Sequence, residues 1–336
     1  MEQTAAVGDV WVALCETHPA LRSGLQTALF RLGLRNVEIC KDATSLIWLM
    51  QSKIIDLVIC STDLPGVDFC ALMQQIRNGA IGRNPFTLVV ATISEPTRDE
   101  VRAILNAGVD KVALKPMSMA DIAGCVQALA QSRKPFVATN SYVGPSRRGP
   151  TRVIQGEEAM PAPNTFKARL AGTPDFRLEL LIGDGRAAVD TLRVQNSCLA
   201  VARSGHRVVT HFQKNMTGPV DKELARLRSM SVALGERHRD SSHLHLAEMA
   251  SSLVLLADLL ADFPPGQARL QSVAVELLKK LSEAVRLAGL GDPSGVDTVR
   301  AIAASVQAFA STLPVRSRAD LDGRAVVDGA PNLLNS

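Results

Sequence analysis

The first 132 residues alternate five times between a short apolar run and a segment whose apolar residues have helical spacing. The apolar runs are VWVALCE (Val10–Glu16), NVEIC (Asn36–Cys40), IDLVIC (Ile55–Cys60), FTLVVATI (Phe86–Ile93) and KVALKP (Lys111–Pro116). Continuous apolar runs of this length are typical of parallel strands that are buried on both faces. The alternation therefore predicts an α/β fold, a (βα)5 doubly wound parallel sheet with helices on both faces.

The helical segments carry recognisable start and stop signals. Asp42 and Ser118 stand at the start of two of them and are predicted N-caps, because a short polar side chain can accept a hydrogen bond from the first turn. Gly33 and Gly108 end two others. In a sheet of this kind ligand chemistry gathers at the carboxyl ends of the strands, so we expect functional side chains there.

Three stretches near those strand ends are similar to one known family. They are ETHPALRSGL after the first strand, DLVICSTDLPGVD around the third and NAGVDKVALKP around the fifth. With the five-fold alternation, they make residues 1–132 resemble the CheY-like receiver domain of two-component response regulators. In that family, two acidic residues after strand one help to bind Mg²⁺, and an Asp that ends strand three accepts a phosphoryl group from a histidine kinase. A Ser or Thr after strand four and a Lys after strand five contact the phosphoryl oxygens, and an aromatic residue on strand five swings inward.

This sequence keeps only part of the family's pattern. The resemblance puts the acceptor position at Ser61, the acidic pair at Glu16 and Thr17, the hydroxyl position at Thr92, the lysine position at Lys115 and the switch-aromatic position at Val112. The lysine, the hydroxyl and one acid are therefore kept. The nucleophilic carboxylate, the second acid and the aromatic residue are absent, so the resemblance is to a degenerate receiver.

The missing groups are the ones on which phosphoryl transfer depends. The reaction needs an anionic oxygen nucleophile and a divalent cation that neutralises the phosphate oxygens, and carboxylates supply both the nucleophile and the hard ligands. A serine hydroxyl with no adjacent base is a poor acceptor. We therefore expect a pseudo-receiver that acts through protein–protein binding and not as an enzyme. It would have no catalytic residue and no cofactor, and its only remnant of a Mg²⁺ site would be at Glu16.

Several interpretations of single side chains stay open. Lys115 is expected to pair with Glu16 or Asp63, or to face solvent. Asp63 lies two residues past the end of the strand and could replace the missing acceptor, which would give a weakly phosphorylated receiver. Ser61 could be a substrate of a serine kinase. Alternatively, the hydroxyl groups of Ser61, Thr17 and Thr92 could do no more than form hydrogen bonds with local backbone groups at strand ends.

The alternation stops at Arg133, and the chain changes character. Residues 133–165 are rich in Pro, Gly and basic residues, as in GPSRRGPTR, and predict a linker or extended arm. Residues 166–313 show helical spacing almost throughout and predict a helical bundle that serves as an output or oligomerisation domain. One short strand signal, HRVVTHF (His206–Phe212), stands within it. The tail, residues 314–336, is predicted to be disordered.

Composition restricts the partners and the location. The net charge of +4 is small for 336 residues, and no helix pair with a basic second helix stands out, so nucleic acid is not the expected partner. A DNA-binding transcriptional response regulator remains the alternative. The six cysteines form no CxxC pair and are expected to be buried reduced thiols. The sequence has no apolar run of about eighteen residues and no secretory signal. We therefore expect a cytoplasmic bacterial signalling protein whose partner is a histidine kinase, another regulator or a second copy of itself.

Overall fold

The computed structural model describes residues 9–147, 158–214, 220–239, 244–263, 268–291 and 294–312. The chain falls into two compact units, Met1–Arg193 and Val194–Ser336, and each is described by itself. The predicted tail from residue 314 onward lies outside the described residues. The domain boundaries drawn from the sequence stay a prediction.

The first unit begins with the alternation that the sequence predicts. Its elements are β1 (Trp11–Cys15), α1 (Pro19–Arg31), β2 (Asn36–Cys40), α2 (Ala43–Ser52), β3 (Leu57–Ser61), α3 (Phe69–Arg77), β4 (Leu88–Ile93), α4 (Arg98–Asn106), β5 (Lys111–Leu114) and α5 (Met119–Gln131). The five strands are parallel and lie in the order β2-β1-β3-β4-β5. The predicted (βα)5 doubly wound sheet is confirmed.

Both faces of the sheet are covered by helices. Leu14, Ile59 and Val90 pack against α1 and α5 on one face. Val58 and Ala91 pack against α2, α3 and α4 on the other. Because successive side chains of a strand point to opposite faces, the position of a residue along its strand decides which of the two cores it joins.

Helices α2 and α5 begin at their predicted N-caps. A carboxylate oxygen of Asp42 accepts a hydrogen bond from the backbone N–H of Ser45 at 2.8 Å, and Ser118 Oγ accepts one from Asp121 N–H at 3.1 Å. In each case the later side chain bonds back to the backbone N–H of the cap, which makes a capping box. A third box begins α4. These caps fix where the loops that follow the strands turn into helices.

The first unit continues beyond α5. Its further elements are β6 (Phe136–Ala138), β7 (Val143–Pro145), α6 (Thr165–Leu170) and the first part of α7 (Asp175–Gln213). β6 and β7 form an antiparallel hairpin, and Phe136 and Leu178 share a buried core with Phe86. The sequence predicted a linker or arm over residues 133–165, and the structure differs at the hairpin. The reason is that its few apolar side chains cover apolar surface of the preceding α/β region.

The second unit is helical, as predicted. It contains the rest of α7 together with α8 (Val220–His238), α9 (Leu244–Ala261), α10 (Ala268–Gly289) and α11 (Ser294–Ser311). Leucine, valine and alanine side chains from all five helices form one core. The possible strand at His206–Phe212 is wrong, because this stretch lies within α7. Val201 and Val208 are both buried there and stand seven residues apart, which is two helical turns.

Helix α9 is long and apolar enough to cross a membrane by length and composition, and it is the one such helix in the described part of the chain. The core helix of a bundle has the same properties. Half of its residues are buried, and its Asp258 forms an ion pair with Arg228 of α8 at 2.9 Å. Its contacts with α8, α10 and α11 are those of a helix at the centre of the bundle.

Candidate functional site

The candidate site lies at the carboxyl ends of β1, β3, β4 and β5. Ser61 is the last residue of β3 and stands in register with Thr92 of β4. Glu16 directly follows β1, and Lys115 directly follows β5. By the alternation along each strand, Glu16, Ser61 and Thr92 fall on the face that packs against α1 and α5.

The ammonium group of Lys115 is at the centre of the site. Its Nζ donates a hydrogen bond to Ser61 Oγ at 2.6 Å and lies 3.1 Å from Glu16 Oε2. Asp63 Oδ2 is 3.8 Å from the same Nζ. The Glu16 carboxylate is buried, whereas the Asp63 side chain is 70% exposed, so water weakens the second ion pair more than the first. Of the possibilities open for Lys115, the structure shows pairing with both acids, and the closer partner is Glu16.

The hydroxyl group of Ser61 is fully buried and accepts two hydrogen bonds. Besides the bond from Lys115, its Oγ accepts one from the backbone N–H of Asp63 at 3.2 Å. The second bond is the local backbone contact that a serine at a strand end commonly makes. An oxygen whose lone pairs are engaged by an ammonium and an amide is a weak nucleophile. Burial also keeps this hydroxyl away from the active site of a protein kinase.

The carboxylate of Glu16 does not fit a Mg²⁺ site. Its Oε1 accepts a hydrogen bond from the backbone N–H of His18 at 2.9 Å, and its Oε2 faces Lys115. That oxygen makes no hydrogen bond of ordinary geometry to any residue that the structure describes. A buried carboxylate requires a nearby cation, and Lys115 fills that role. A divalent ion would have to displace the ammonium, and no group of three acidic, histidine or cysteine side chains in the described ranges is arranged to hold a metal ion.

The other predicted positions lie around this contact and not in it. Thr17 is exposed in the loop after β1. Val112 is half-buried on β5 and packs against the core on the α2–α4 face. The Thr92 hydroxyl is buried without a hydrogen-bond partner among the described residues. With Glu16 and Lys115, Thr92 lines a cavity of about 90 Å³ beside α1, a feature that the sequence did not indicate.

A second set of charged side chains, not recognised in the sequence, lies at the opposite, amino-terminal edge of the sheet. Arg77 and Arg133 bind the Asp110 carboxylate at 2.8 and 2.9 Å, and Arg169 binds Asp56 at 2.7 Å. Burial lowers the pKa of Arg77 to about 10. Burial also raises the pKa of Asp56, although the charge of Arg169 opposes this. In the sequence, the signal for these ion pairs was an Asp directly before a strand, Asp56 before β3 and Asp110 before β5. These ions attach the residues after α5 to the sheet and do not face the candidate site.

The comparison with known families agrees with the fold of the first five strands and helices. The sequence profile of the response regulator receiver domain matches residues 12–127, which run from β1 into α5. One similar solved structure is the CheY-like receiver domain protein of Methanospirillum hungatei JF-1, with 17% identity over 35% of this chain and 90% of that chain and a TM-score of 0.32.

Two further solved structures are similar over about the same share of the chain. The signal receiver domain of the putative response regulator NarL of Mycobacterium tuberculosis has 23% identity over 37% of this chain and 98% of that one, with a TM-score of 0.33. HP1043, an orphan response regulator of Helicobacter pylori, has 20% identity over 36% and 96%, with a TM-score of 0.32. No curated protein matches the chain.

Proposed function

Residues 12–127 form a response regulator receiver domain, and we propose that it is a pseudo-receiver. It keeps the fold, takes up no phosphoryl group from a histidine kinase, and acts by binding other signalling proteins. The observation that carries the proposal is the 2.6 Å hydrogen bond between Lys115 and the Ser61 hydroxyl, at the position where the family it resembles has the acceptor Asp.

The two buried charges of the site, on Lys115 and Glu16, balance each other without phosphate or Mg²⁺. In the family, the lysine meets the negative charge of the phosphoryl group. Here the Lys115 ammonium is already held between a hydroxyl and the buried Glu16 carboxylate. With Thr17 in place of a second acid, a metal ion would gain only one buried carboxylate, that of Glu16, and would meet a competing ammonium. The arrangement therefore supports a site that rests in a single state.

We place the surface for the partner on β5 and its flanking helices. β5 is an edge strand with β4 as its one neighbour in the sheet. Leu114 at its end is 62% exposed, and Met119 at the start of α5 is exposed as well. Large apolar side chains beside a free strand edge are features of interaction surfaces. The partner would be a histidine kinase, another regulator or a second copy, and the helical unit would serve as the output or oligomerisation module in a cytoplasmic protein.

Phosphoryl uptake tests the first part of the proposal. The full-length protein is incubated with acetyl phosphate and Mg²⁺, and its intact mass is measured. We expect no phosphoryl group on the wild-type chain. The Thr17→Asp/Ser61→Asp variant restores the second acid and the acceptor and should gain a hydroxylamine-sensitive phosphoryl group. Stoichiometric labelling of the wild-type chain would overturn the proposal.

Weak phosphorylation of Asp63 is a second candidate, because its carboxylate is exposed and lies 3.8 Å from Lys115 Nζ. The Asp63→Asn variant separates a pseudo-receiver, which takes up no phosphoryl group, from a receiver that is weakly phosphorylated at Asp63. A wild-type label that disappears in this variant supports the second candidate. A wild-type label that survives the substitution excludes it.

Partner binding tests the second part. The full-length protein is used to capture partners from a native cell extract, with Leu114→Asp as the variant. Leu180→Asp is the matched control, because Leu180 is 63% exposed and stands on α7, which is neither β5 nor a helix that flanks it. We expect the first variant to capture at least tenfold less partner and the second to capture as much as wild type.

A gel shift with duplex DNA at low salt tests the alternative of a DNA-binding regulator, which predicts salt-sensitive binding.

A further inference from the structure

Three neighbouring strands of the sheet carry a cysteine at their carboxyl end, as the last residue of β1 and β2 and as the second-last residue of β3. Cys15 of β1 stands in register with Cys40 of β2 on one side and with Cys60 of β3 on the other. Directly paired residues of parallel strands point to the same face, so the three thiols form a row across the carboxyl end of the sheet. All three lie in the core between the sheet and helices α2–α4, on the opposite face from Glu16 and Ser61.

The spacing of the row suits a disulfide bond and not a metal ion. Neighbouring strands lie about 4.8 Å apart. The Cα atoms of a disulfide lie roughly 4.4–6.8 Å apart, so either adjacent pair can be bridged with little movement of the backbone. Three sulfurs in a line do not surround a common point. In agreement, no group of three potential ligands that could hold a metal is found among the described residues.

The outer pair, Cys40 and Cys15, is the more reactive of the two. Cys40 ends the edge strand β2, is 2% exposed and is followed by the exposed residues Lys41 and Asp42. Cys60 is the second-last residue of the central strand β3 and is fully buried. The hydrogen bond from Cys15 lowers the pKa of the Cys40 thiol, which raises its fraction of thiolate, the reactive form. Hydrogen bonds with its two neighbours, and then burial, raise the pKa of Cys15.

We propose that Cys40 and Cys15 are a site of reversible oxidation, in which hydrogen peroxide converts the two thiols into an intramolecular disulfide. The Cys40 thiolate attacks one peroxide oxygen, the O–O bond breaks, and hydroxide leaves and takes up the thiol proton as water. The Cys15 sulfur then attacks the sulfenic sulfur of Cys40, the S–O bond breaks, and a second water leaves with the Cys15 proton. The two thiols together lose two electrons, and one peroxide is reduced to two waters.

Peptide mapping of the intact protein tests this proposal. The full-length protein is treated with hydrogen peroxide, its remaining thiols are alkylated, and it is digested with trypsin. Cys15, Cys40 and Cys60 then fall in separate peptides, residues 1–22, 36–41 and 54–77. We expect a linked 1–22/36–41 pair, lighter than the two free peptides by two hydrogen atoms, that disappears on treatment with dithiothreitol.

Each other outcome overturns the assignment. Complete alkylation of Cys15 and Cys40 after peroxide would show that the pair is inert. A 1–22/54–77 link would assign the bond to Cys60 or Cys70, the two cysteines of the second peptide, instead of Cys40. A link between two chains would assign the reaction to a surface thiol. Sulfinic acid on Cys40 without a link would remove Cys15 from the reaction.

Two variants serve as controls. Cys60→Ala leaves the proposed pair intact and should form the same linked peptides at a rate within about twofold of wild type. Cys40→Ala should lose them completely. If Cys40→Ala does not fold, the peptide map of the wild-type chain and the Cys60→Ala variant still decide the outcome.

Discussion

Single residues at the carboxyl edge of the sheet show how strongly Glu16 and Lys115 depend on each other. Their side chains are 2% and 9% exposed, respectively. The only other described hydrogen bond of the Glu16 carboxylate comes from the backbone N–H of His18. If the ammonium is removed, a buried charge remains without a counter-ion. If both charges are removed, no unpaired charge is left in the buried site, and the cost of burying one disappears.

The Lys115→Met variant should therefore lower the free energy of unfolding of the first unit by about 3 kcal/mol, the low end of the cost of breaking a buried ion pair from one side. Glu16→Gln combined with Lys115→Met should recover more than half of that loss. Urea unfolding followed by tryptophan fluorescence measures it, because Trp11 and Trp48, the two tryptophans of the chain, both lie in the first unit. Additive losses in the double variant would show that the two groups do not interact.

At the scale of elements, the capping boxes make the starts of helices sensitive to acid. Hydrogen bonds from the Ser118 hydroxyl and backbone lower the pKa of Asp121 below its ordinary value. The folded chain therefore holds this carboxylate in its charged form more strongly than the unfolded chain does. Its contribution to stability is complete above the ordinary pKa of Asp and is lost as the pH falls through the lowered pKa of the folded state.

An NMR titration of the carboxyl groups should place the midpoint of Asp121 below that of an unrestrained Asp. In the Ser118→Ala variant, the midpoint should move upward, because both the hydroxyl bond and the closed cap are lost. Glu100 of α4 is the control, because hydrogen bonds from the Thr97 backbone and hydroxyl lower its pKa in a separate capping box. Its midpoint should stay lowered in the Ser118→Ala variant. An unchanged Asp121 midpoint would contradict the role of the cap.

The packing of α7 against α10 depends on one glycine. A Cβ atom on Gly205 would clash with Ser282 Oγ and lie 3.0 Å from Ser282 Cβ, so a side chain at this position requires α7 or α10 to shift. Gly205→Ala should destabilise the helical unit by about 1–3 kcal/mol, the usual cost of overpacking. Gly183, in the same helix, has nothing within 4 Å of its Cβ position, and Gly183→Ala should be neutral or stabilising by up to about 1 kcal/mol.

Thermal unfolding followed by far-UV circular dichroism compares the two variants. Replacing Ser282 with glycine in the Gly205→Ala background removes the clash and should restore part of the lost stability. Equal effects of alanine at the two glycines would show that the loss comes from helix propensity and not from the contact with α10.

The elements differ in how far their sequence could predict them. β1–β5 and their helices follow from local periodicity, because each strand carries its own short apolar run. The central strands β1, β3 and β4 are buried on both faces, and only the edge strands β2 and β5 are partly exposed. At His206–Phe212, the β-branched residues favour a strand, but the helix wins because Val208 and its neighbours join the bundle core at helical spacing. The β6–β7 hairpin could not be predicted from three-residue strands. Its stability comes from covering Phe86, which lies far away in the sequence.

At the scale of the whole molecule, the polar and charged sites also differ in whether a local sequence signal predicts them. The positions of Ser61 and Lys115 follow from the strand ends and from the resemblance to receivers. The partner of Lys115 was left open, because a side chain of that length can reach either acid. The ion pair between Asp56 and Arg169 joins residues 113 positions apart and has no local signal at all. It becomes visible only when the fold brings α6 beneath the start of β3.

That long-range pair implies that the receiver fold of this protein depends on chain beyond α5. A fragment of residues 1–132 ends before Arg133 and Arg169, so it leaves the Asp56 carboxylate, which is fully buried in the intact unit, without a cation. It also uncovers Phe86. A fragment of residues 1–193 keeps these contacts. We expect the shorter fragment to be less stable to urea by at least about 3 kcal/mol, as expected for a buried charge that loses its partner.

The Asp56→Asn substitution separates the ionic contribution from the lost apolar cover. In residues 1–193 it removes one side of a buried ion pair and should destabilise the fragment, although Arg169 keeps its second contact with Asp175 at 2.6 Å. In residues 1–132 it removes a carboxylate that has lost its counter-ion and should stabilise the fragment or leave its stability unchanged. Tryptophan fluorescence during urea unfolding gives both values. A change of the same sign in the two fragments would mean that Arg169 does not stabilise the receiver fold through Asp56.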